Sequence, residues 1–416
     1  MGDRQCNGTG QFNLFGSVGR HKMSTGIQHR ILLIGLFFLS GPSISGQNTW
    51  ERKADLPDRR GDAVAFSLGG YGYLGTGVSS GNDNEFFRYD PESDKWERYS
   101  LMPGLPRMEA FCFVIKDKVY IGGGVNSTNT YDDELWEFDP VENTWNQKNN
   151  LPFYYHNSYI TVSFSINDKG YLKRDEFDDF GSLVEYDPIK DEWKRLADFP
   201  GVGLLGQVGF SLLGKGYVGL GFDGRNKTSE FWEYDPALNR WERKANFPGY
   251  LRTEALSFTI GRSGYVGSGR NRDYGGMLND FWIYSPDTGS WSRIADCPYK
   301  SINGCAFSIN GKGYFGTGFY SEGNEIWEYS PTITSIPDVE NSSLIHLYPN
   351  PAHDHVYVKS SLPQVNELMV YSITGAFAGS LAVKENRIDL KGLEPGLYYL
   401  VVDSGRMSAG NILVVF

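Results

Sequence analysis

Cysteine and histidine are scarce in this chain of 416 residues, which has 4 Cys and 6 His. No Cys-x-x-Cys pair occurs, and no spacing of Cys and His is typical of a zinc site. A Ser-His-Asp triad in the central region would have to use His156 alone, and no Gly-x-Ser-x-Gly motif supports one. P-loop and Rossmann fingerprints are also missing. The sequence therefore predicts neither a metal site nor a cofactor.

Basic residues are also fewer than acidic ones. The chain has 39 Lys and Arg and 50 Asp and Glu, which gives a net charge of −11. An acidic chain is a poor partner for the phosphates of nucleic acids. Adsorption to anionic lipid is disfavoured for the same reason. We therefore expect no nucleic-acid partner.

A hydrophobic run long enough to cross a bilayer, about 20 residues, is missing as well. The longest run, Ile31–Leu39, follows a basic stretch that includes Lys22 and Arg30, and small residues follow it up to Gly46. This order is typical of a cleaved signal peptide. We therefore predict a signal peptide at residues 1–46, with Met23 as an alternative start, and no transmembrane segment in the mature chain.

A repeat of 46 to 50 residues fills most of the chain. Each unit has a Trp, a Pro, a Phe, a Tyr seven residues after the Phe and, in all units but one, a Gly-x-Gly pair. This pattern predicts four short strands per unit, joined by turns of Gly, Asn and Asp. The aromatic residues are large enough to fill the space between neighbouring sheets. The repeated Trp residues are Trp50, Trp96, Trp145, Trp193, Trp241 and Trp291, and the repeated Phe residues are Phe66, Phe113, Phe164, Phe210, Phe258 and Phe307.

The phase of the repeat predicts how the sheets close. Trp50 precedes the first unit, and no Trp follows Pro331. The strand around Trp50 should therefore complete the last sheet, which gives an all-β, six-bladed β-propeller at residues 47–331. The pattern resembles the kelch repeat family, whose period is about 50 residues. Some kelch-type propellers resemble galactose oxidase, but that copper chemistry requires two His and a Tyr cross-linked to Cys, and this region has one His.

Two local features leave alternatives open. In the third unit Lys173 and Arg174 replace the Gly-x-Gly, and an acidic stretch follows at residues 175–179. Such a stretch is usually a solvated charge run, and a calcium site is the alternative. Cys297 and Cys305 are close enough in the sequence to form a disulfide, or they are buried free thiols.

The C-terminal region does not follow the repeat. Residues 332–345 have the Thr, Ser, Pro and Asn content of a linker. Residues 346–416 open with the motif Tyr-Pro-Asn-Pro, and the runs VYSITG and GLYYL predict a small β-sandwich. These motifs resemble the C-terminal sorting domain of the type IX secretion system of Bacteroidetes. The resemblance implies that the type IX machinery carries the chain through the outer membrane, to be released or held at the cell surface.

The candidate site combines charged and aromatic residues. Because alternate residues of a strand share a face, an Arg six residues before the repeated Phe and an acid two residues later are expected to lie together at the mouth of the central channel. Three blades carry such a pair, and aromatic residues of the connecting segments could stack on a sugar. These pairs either bind a polar ligand or are structural, since a buried charge must be paired. The residues are Arg60 with Asp62, Arg107 with Glu109, and Arg252 with Glu254, together with Tyr154, Tyr155, His156, Tyr250 and Tyr299.

The sequence is compatible with two functions. The first is a secreted or cell-surface binding module without catalytic activity, whose ligand is a glycan or a protein. The second follows from a resemblance to the sialic-acid mutarotase or epimerase group, which also has six kelch blades, and implies a sugar-modifying enzyme. Glu109 and Glu254 would then be the candidates for acid–base catalysis, and Arg would bind the substrate carboxylate.

Overall fold

The computed structural model describes residues 48–79, 81, 83–151, 162–175, 180–202, 205–274, 276–319, 323–331, 345–360, 367–372, 377–393, 395–403 and 408–415. Within these ranges the regular secondary structure is β-strand, apart from one short 3-10 helix at Arg272–Tyr274. The predicted signal peptide and the candidate site residues Tyr154, Tyr155 and His156 lie outside the described residues. No helix in the described ranges is long and apolar enough to cross a bilayer.

Six antiparallel four-stranded sheets are formed by the described part of the repeat region. The innermost strands are β2 (Val64–Leu68), β7 (Phe111–Ile115), β12 (Val162–Ile166), β16 (Val208–Leu212), β20 (Leu256–Ile260) and β26 (Cys305–Ile309). The second strands are β3 (Tyr71–Gly75), β8 (Lys118–Gly122), β13 (Lys169–Asp175), β17 (Lys215–Gly219), β21 (Ser263–Gly267) and β27 (Lys312–Gly316). The third strands are β4 (Glu85–Asp90), β10 (Leu135–Asp139), β14 (Phe180–Asp187), β18 (Phe231–Asp235), β24 (Phe281–Ser285) and β28 (Ile326–Ser330).

The outermost strands of the same sheets are β5 (Lys95–Leu101), β11 (Thr144–Lys148), β15 (Glu192–Arg195), β19 (Arg240–Arg243), β25 (Ser290–Arg293) and β1 (Thr49–Lys53). Two ribbons of two-residue strands lie in the connections. They pair β6 (Arg107–Met108) with β9 (Val125–Asn126), and β22 (Arg270–Asn271) with β23 (Gly276–Met277). We number the sheets as blades 1 to 6 in the order of their innermost strands.

The N-terminal strand closes the ring of blades. β1 pairs with β28 in blade 6, and Trp50 lies opposite Tyr329. Each innermost strand contacts the innermost strands of both neighbouring blades, and β26 contacts β2 across the closure. The Trp96 indole donates a hydrogen bond of 3.0 Å to the Ala54 carbonyl, which follows β1. The predicted closure and the six-bladed propeller are therefore confirmed.

The core lies between neighbouring blades, where the repeated aromatic residues stack. The rings of Phe210 and Tyr217 have centroids 5.3 Å apart. Phe210 also covers Gly264 of the next blade, where an added Cβ would come within 2.2 Å of the ring. A side chain at this Gly would therefore force the two blades apart.

Both cysteines of the last repeat unit are part of this core. Cys297 is fully buried at the position before the repeated Pro, which is apolar in the other units as well. Cys305 is buried at the first position of β26, and both thiols are free. The disulfide alternative is therefore wrong for the structure. Burial raises the pKa of Cys297 and of Cys305 to about 12, so neither is a reactive thiolate near neutral pH.

Blade 3 departs from the repeat where its second and third strands pair. The pairing of β13 with β14 shifts register between Lys173 and Asp175. Lys173 is fully buried, and its ammonium lies 5.0 Å from the centroid of the Phe199 ring. Residues 176–179, which carry most of the acidic stretch, lie outside the described residues.

The C-terminal region forms two sheets around a separate core. One sheet contains β29 (Ile345–Tyr348), β30 (His355–Ser360) and β33 (Arg387–Asp389). The other contains β31 (Glu367–Ser372), β32 (Phe377–Ala382), β34 (Gly396–Asp403) and β35 (Ser408–Val415). Both contribute to one apolar cluster, as Val356 and Val370 illustrate. This is the small β-sandwich that the sequence predicts.

Candidate functional site at the channel mouth

Five residues at the start of the innermost strands form a ring around the central channel, which we call the axial ring: Asp62, Glu109, Gly206, Glu254 and Asn303. All five occupy the same repeat position, and all have positive φ, between 52° and 62°. The ring is joined by backbone hydrogen bonds between blades. The Glu109 amide donates to the Asp62 carbonyl at 2.9 Å, and the Asp62 amide donates to the Asn303 carbonyl at 2.9 Å. Glutamate rarely adopts this backbone region, so interactions between the blades hold Glu109 and Glu254 in place.

The recurring arginines lie beneath this ring and are structural. Arg252 is fully buried, and its guanidinium donates to the carbonyls of Tyr250 and Ser268, at 2.9 Å each, and to Asp280 Oδ2 at 2.7 Å. Ser268 is the middle residue of a Gly-x-Gly and has a φ of 59°. Arg252 therefore satisfies a buried carbonyl at a sharp turn of the backbone, and Asp280 neutralises its charge.

Arg107 follows the same pattern, and Arg60 shares the ion pair with an acid but its side chain donates to no carbonyl among the described residues. Arg107 donates to the carbonyl of Leu105 and lies 2.7 Å from Glu134 Oε2. Arg60 is fully buried and forms an ion pair with Asp83. The expectation that each Arg pairs with the acid two residues later is thus wrong, because the acids that pair with these arginines precede the third strand of the same blade. The side chains of Arg60, Arg107 and Arg252 therefore link segments within their own blades.

The predicted aromatic residues are also placed differently from the expectation. Tyr299 is buried, and its hydroxyl donates to the Thr317 carbonyl at 3.1 Å. In blade 6, where Ser301 replaces the recurring Arg, Tyr299 and Ser301 together satisfy this carbonyl. Tyr250 is exposed but lines a different cavity, described below. Neither tyrosine therefore contributes to the channel mouth.

A cavity of about 510 Å³ opens at the axial ring. Its lining comes from blade 2 and from blades 4, 5 and 6, and in a ring of six blades, blade 2 lies opposite blade 5. The cavity therefore spans the axis. It combines acidic, basic and apolar side chains: Glu109, Leu205, Gly206, Phe222, Lys227, Thr253, Glu254, Arg270, Arg272, Ile302, Asn303 and Phe319.

The basic side chains are concentrated on blades 4 and 5. Arg270 Nη2 lies 2.5 Å from Glu254 Oε1, and this pair forms one wall of the cavity. Lys227 Nζ lies 3.3 Å from the exposed Asp273. Burial raises the pKa of Glu254, although Arg270 opposes the shift. The second oxygen of this carboxylate, Oε2, is buried and has no hydrogen-bond partner among the described residues. Glu254 therefore lines the cavity as a carboxylate with one paired oxygen and one unsatisfied buried oxygen.

Asp62 differs electrostatically from the other acids. Burial raises its pKa to about 7, the negative charges of Glu109 and Glu254 add to the shift, and the side chain of Asn303 opposes it. One oxygen, Oδ1, is buried and lacks a hydrogen-bond partner within the part of the chain that the structure describes. Asp62 therefore exchanges its proton near neutral pH, next to two acids that line the cavity.

The sequence interpretation missed the basic residues of the site, although a signal for Arg270 exists in the repeat. Arg270 directly follows a Gly-x-Gly pair, and the other four pairs are followed by Val78, Val125, Phe222 and Phe319. One cation among four apolar residues is a departure that a blade-by-blade comparison could have found. Lys227 and Arg272 lie in connections of unequal length, where the repeat gives no signal.

This arrangement suits a small polar ligand with an anionic group. Arg and Lys side chains bind carboxylates, and the Arg fork does so with two hydrogen bonds. Phe222 and Phe319 offer apolar surface, while Asn303 and Glu254 can hydrogen-bond hydroxyl groups. Among the described residues, no group of three or more His, Cys, Asp or Glu is placed to hold a metal ion.

Comparison with known families supports this fold. Residues 106–152 match the kelch motif, and residues 346–415 match the secretion system C-terminal sorting domain. The solved structure of YjhT aligns with a TM-score of 0.55 over 66% of this chain and 95% of that chain. At 16% identity, that likeness concerns the fold alone.

The central region is thus a kelch β-propeller. The chain thus combines a β-propeller that contains a kelch motif with a secretion system C-terminal sorting domain, which implies handling by the secretion machinery. The sorting domain supports secretion or a place at the cell surface.

Curated relatives match over parts of their length. N-acetylneuraminate epimerase 1 of Escherichia coli is 24% identical over 172 residues, which are 32% of this chain and 46% of the relative. N-acetylneuraminate epimerase of Yersinia pestis is 36% identical over 83 residues, 18% of this chain and 20% of the relative. Kelch-like protein 15 of Danio rerio is 29% identical over 202 residues, 42% of this chain and 32% of the relative. The chain therefore spans less than half the length of each.

Proposed function

We propose that this protein is an exported sugar-binding propeller whose ligand is a carboxylated sugar held in the channel-mouth cavity. The observation that carries the proposal is Arg270, a cation in the cavity wall at a position that is apolar in the four other blades with a Gly-x-Gly. Lys227 and Arg272 add positive charge beside it. An anionic group in this corner would meet three cations of a protein that is acidic overall.

The rest of the cavity fits the remainder of such a sugar. Phe222 and Phe319 contact its apolar ring face, and Asn303 and Glu109 hydrogen-bond its hydroxyl groups. N-acetylneuraminate has this combination of a carboxylate, hydroxyls and an apolar ring face. Two relatives in the comparison are named as N-acetylneuraminate epimerases, which supports its choice as the first probe.

Calorimetric titration of the mature chain with N-acetylneuraminate and with its methyl ester tests the proposal. The ester keeps the ring and the hydroxyls but has no charge on the carboxyl group. Charge-assisted hydrogen bonds contribute about 1.5–3 kcal/mol each, so we expect the ester to bind at least about 10-fold more weakly. Arg262→Gln is the matched control, since Arg262 pairs with Asp287 outside the cavity, and this variant should bind like the wild type. Equal binding of acid and ester, or binding of neither, would overturn the proposal.

Interconversion of the two anomers of the bound sugar is a second candidate, which the raised pKa of Asp62 favours. In this reaction an acid protonates the ring oxygen while a base removes the proton of the anomeric hydroxyl. The bond between the ring oxygen and the anomeric carbon breaks as the carbonyl forms, and reclosure on the other face gives the second anomer. Asp62 supplies a proton near neutral pH, and Glu254 or Glu109, which line the cavity, act as the base.

Proton NMR of freshly dissolved N-acetylneuraminate separates this activity from simple binding. We expect the protein to speed the approach to anomeric equilibrium, and Asp62→Asn to remove most of that effect while binding persists. Equal rates with and without the protein would leave the binding function alone. Equal rates for the wild type and Asp62→Asn would exclude Asp62 as the acid.

Export is the remaining part of the proposed function. Residues 1–46 would direct passage of the inner membrane and residues 346–416 passage of the outer membrane, as expected for a bacterium of the Bacteroidetes type. Deletion of residues 346–416 should leave the propeller in the periplasm, which cell fractionation would show. Secretion of the shortened chain would contradict this role.

A further inference from the structure

A second cavity, of about 460 Å³, lies beside blade 5 and shares no lining residue with the channel-mouth cavity. We call it the blade-5 cleft and define it by six of its lining residues: Tyr250, Asn279, Trp282, Arg293, Asp296 and Lys300. Tyr250 is 53% exposed, an unusual degree for so large an aromatic side chain. The proposed function uses none of these residues.

Trp282 is held rigidly at this cleft. Its indole nitrogen donates to Asp280 Oδ2 at 2.8 Å, and the same carboxylate binds the buried Arg252. Phe247 packs against the indole ring in an edge-on arrangement, with centroids 5.8 Å apart. The ring orientation is therefore fixed before any ligand arrives, which lowers the entropy cost of binding.

The equivalent position in blade 4 differs from the cleft in the partner of its arginine. There Arg243 lies over the ring of Trp232, at 5.9 Å from its centroid, and 3.4 Å from Glu230. In blade 5 the equivalent Arg293 instead bonds both oxygens of Asp296, at 2.9 Å each. Asp296 thus pairs with the guanidinium, as Asp55 does with Arg52 in blade 6 and Asp198 with Arg195 in blade 3, whereas blade 4 has Asn246 at that position.

Tyr250 is the second difference between the two blades. Its equivalent in blade 4 is Val202, which is also exposed but has no ring. Blade 5 therefore combines two aromatic side chains with a fixed Arg–Asp pair. Such a pair can donate to one hydroxyl and accept from a neighbouring one.

We propose that the blade-5 cleft is a binding subsite for a neutral pyranose. Tyr250 and Trp282 contact the apolar face of the sugar, and Arg293, Asp296 and the Asn279 side chain hydrogen-bond its hydroxyls. Arg293 pairs with Asp296 and Asp280 is neutralised by Arg252, so Lys300 is the remaining charged side chain of the cleft, and its ammonium can donate to a hydroxyl group. The subsite is independent of the sugar-acid site at the channel mouth.

Saturation-transfer NMR and calorimetry on the mature chain test this subsite. The probes are the methyl glycosides of glucose, galactose and N-acetylglucosamine. We expect saturable binding of at least one of them, with Kd near about 1 mM, as is reasonable for a single small ring with few contacts. Absence of saturable binding for all three would overturn the proposal.

Two substitutions that restore the residues of blade 4 locate the binding. Tyr250→Val and Asp296→Asn should each weaken binding at least about fivefold, and because both side chains are largely exposed, the melting temperature should stay the same. Leu238→Val, at an exposed position on another blade, is the control. Wild-type affinity in both cleft variants would overturn the assignment. Arg270→Gln should leave the neutral sugar bound, so failure here and failure at the channel mouth can be told apart.

Discussion

The core between the blades and the mouth of the channel are built from the same repeat, but they use it differently. In the core, each blade presents an equivalent aromatic residue, such as Phe210, to the next blade. At the axial ring, equivalent positions hold Asp62, Glu109, Gly206, Glu254 and Asn303. Packing of similar blades requires repetition, whereas a small ligand without six-fold symmetry can be recognised only by groups that differ between blades. Departures from the repeat therefore mark the site better than the repeated residues do.

Two arginines of blade 5, Arg252 and Arg270, show the same difference between a repeated residue and one that departs from the repeat. Arg252 has counterparts in blades 1 and 2, is fully buried, and has its hydrogen bonds satisfied by protein groups. Arg270 has an apolar residue at the corresponding position in four other blades, and its side chain is 31% exposed in the cavity. The first arginine should therefore matter for stability, and the second for the ligand.

The largest expected effect is that of Arg252→Ala on stability. The substitution leaves the buried Asp280 without its partner and the Ser268 carbonyl without a donor. Breaking a buried ion pair costs about 3–5 kcal/mol, so urea denaturation should show a loss of that size. Arg293→Ala removes an exposed pair and should cost less than about 1 kcal/mol. Similar losses for the two variants would mean that the recurring arginines are not structural.

A somewhat smaller effect is expected from Asp62→Asn, and it should depend on pH. Because the folded protein raises the pKa of Asp62 from 3.8 to about 7, the folded state holds this proton more tightly than the unfolded state. The contribution of Asp62 to stability therefore falls as the pH rises from about 4 to about 7. The Asn variant lacks this dependence, and at pH 8 it should be more stable than the wild type by about 2–4 kcal/mol.

Denaturation at pH 4, 6 and 8 measures this difference. A gap between variant and wild type that stays constant with pH would show that Asp62 is charged in the folded protein throughout. The axial ring would then contain no proton donor for the proposed anomer interconversion.

The smallest effect on stability is expected in the core, from Gly264→Ala. The added methyl group would meet the Phe210 ring, and overpacking of this kind costs about 1–3 kcal/mol. The melting temperature should fall, while sugar binding at the channel mouth should persist. Unchanged stability would mean that the contact between the blades adjusts more easily than the packing indicates. Gly261→Ala is a control for loss of Gly alone, since an added Cβ there meets no atom within 4 Å, although its positive φ adds strain.

The sequence predicted the six blades and their closure because the aromatic spacing repeats and Trp50 stands outside the first unit. It did not predict the partners of the recurring arginines. The expectation relied on strand alternation, but Asp62, Glu109 and Glu254 have positive φ, which interrupts that alternation. The true partners, such as Asp280 for Arg252, are 28 residues away in the chain and are brought near only by the sheet. The position of Arg270 in the cavity wall could have been predicted only from the departure of its blade from the repeat.

The most direct test of this account is Arg270→Val, which gives blade 5 the residue that blades 1 and 2 carry at that position. Unfolding by urea and calorimetric titration with N-acetylneuraminate are measured on the same protein. We expect the free energy of unfolding to fall by less than in Arg252→Ala, because Arg270 is partly exposed whereas Arg252 is fully buried, while the affinity for the sugar acid falls at least about 10-fold. Wild-type affinity in this variant, or a loss of folding like that expected for Arg252→Ala, would contradict the account.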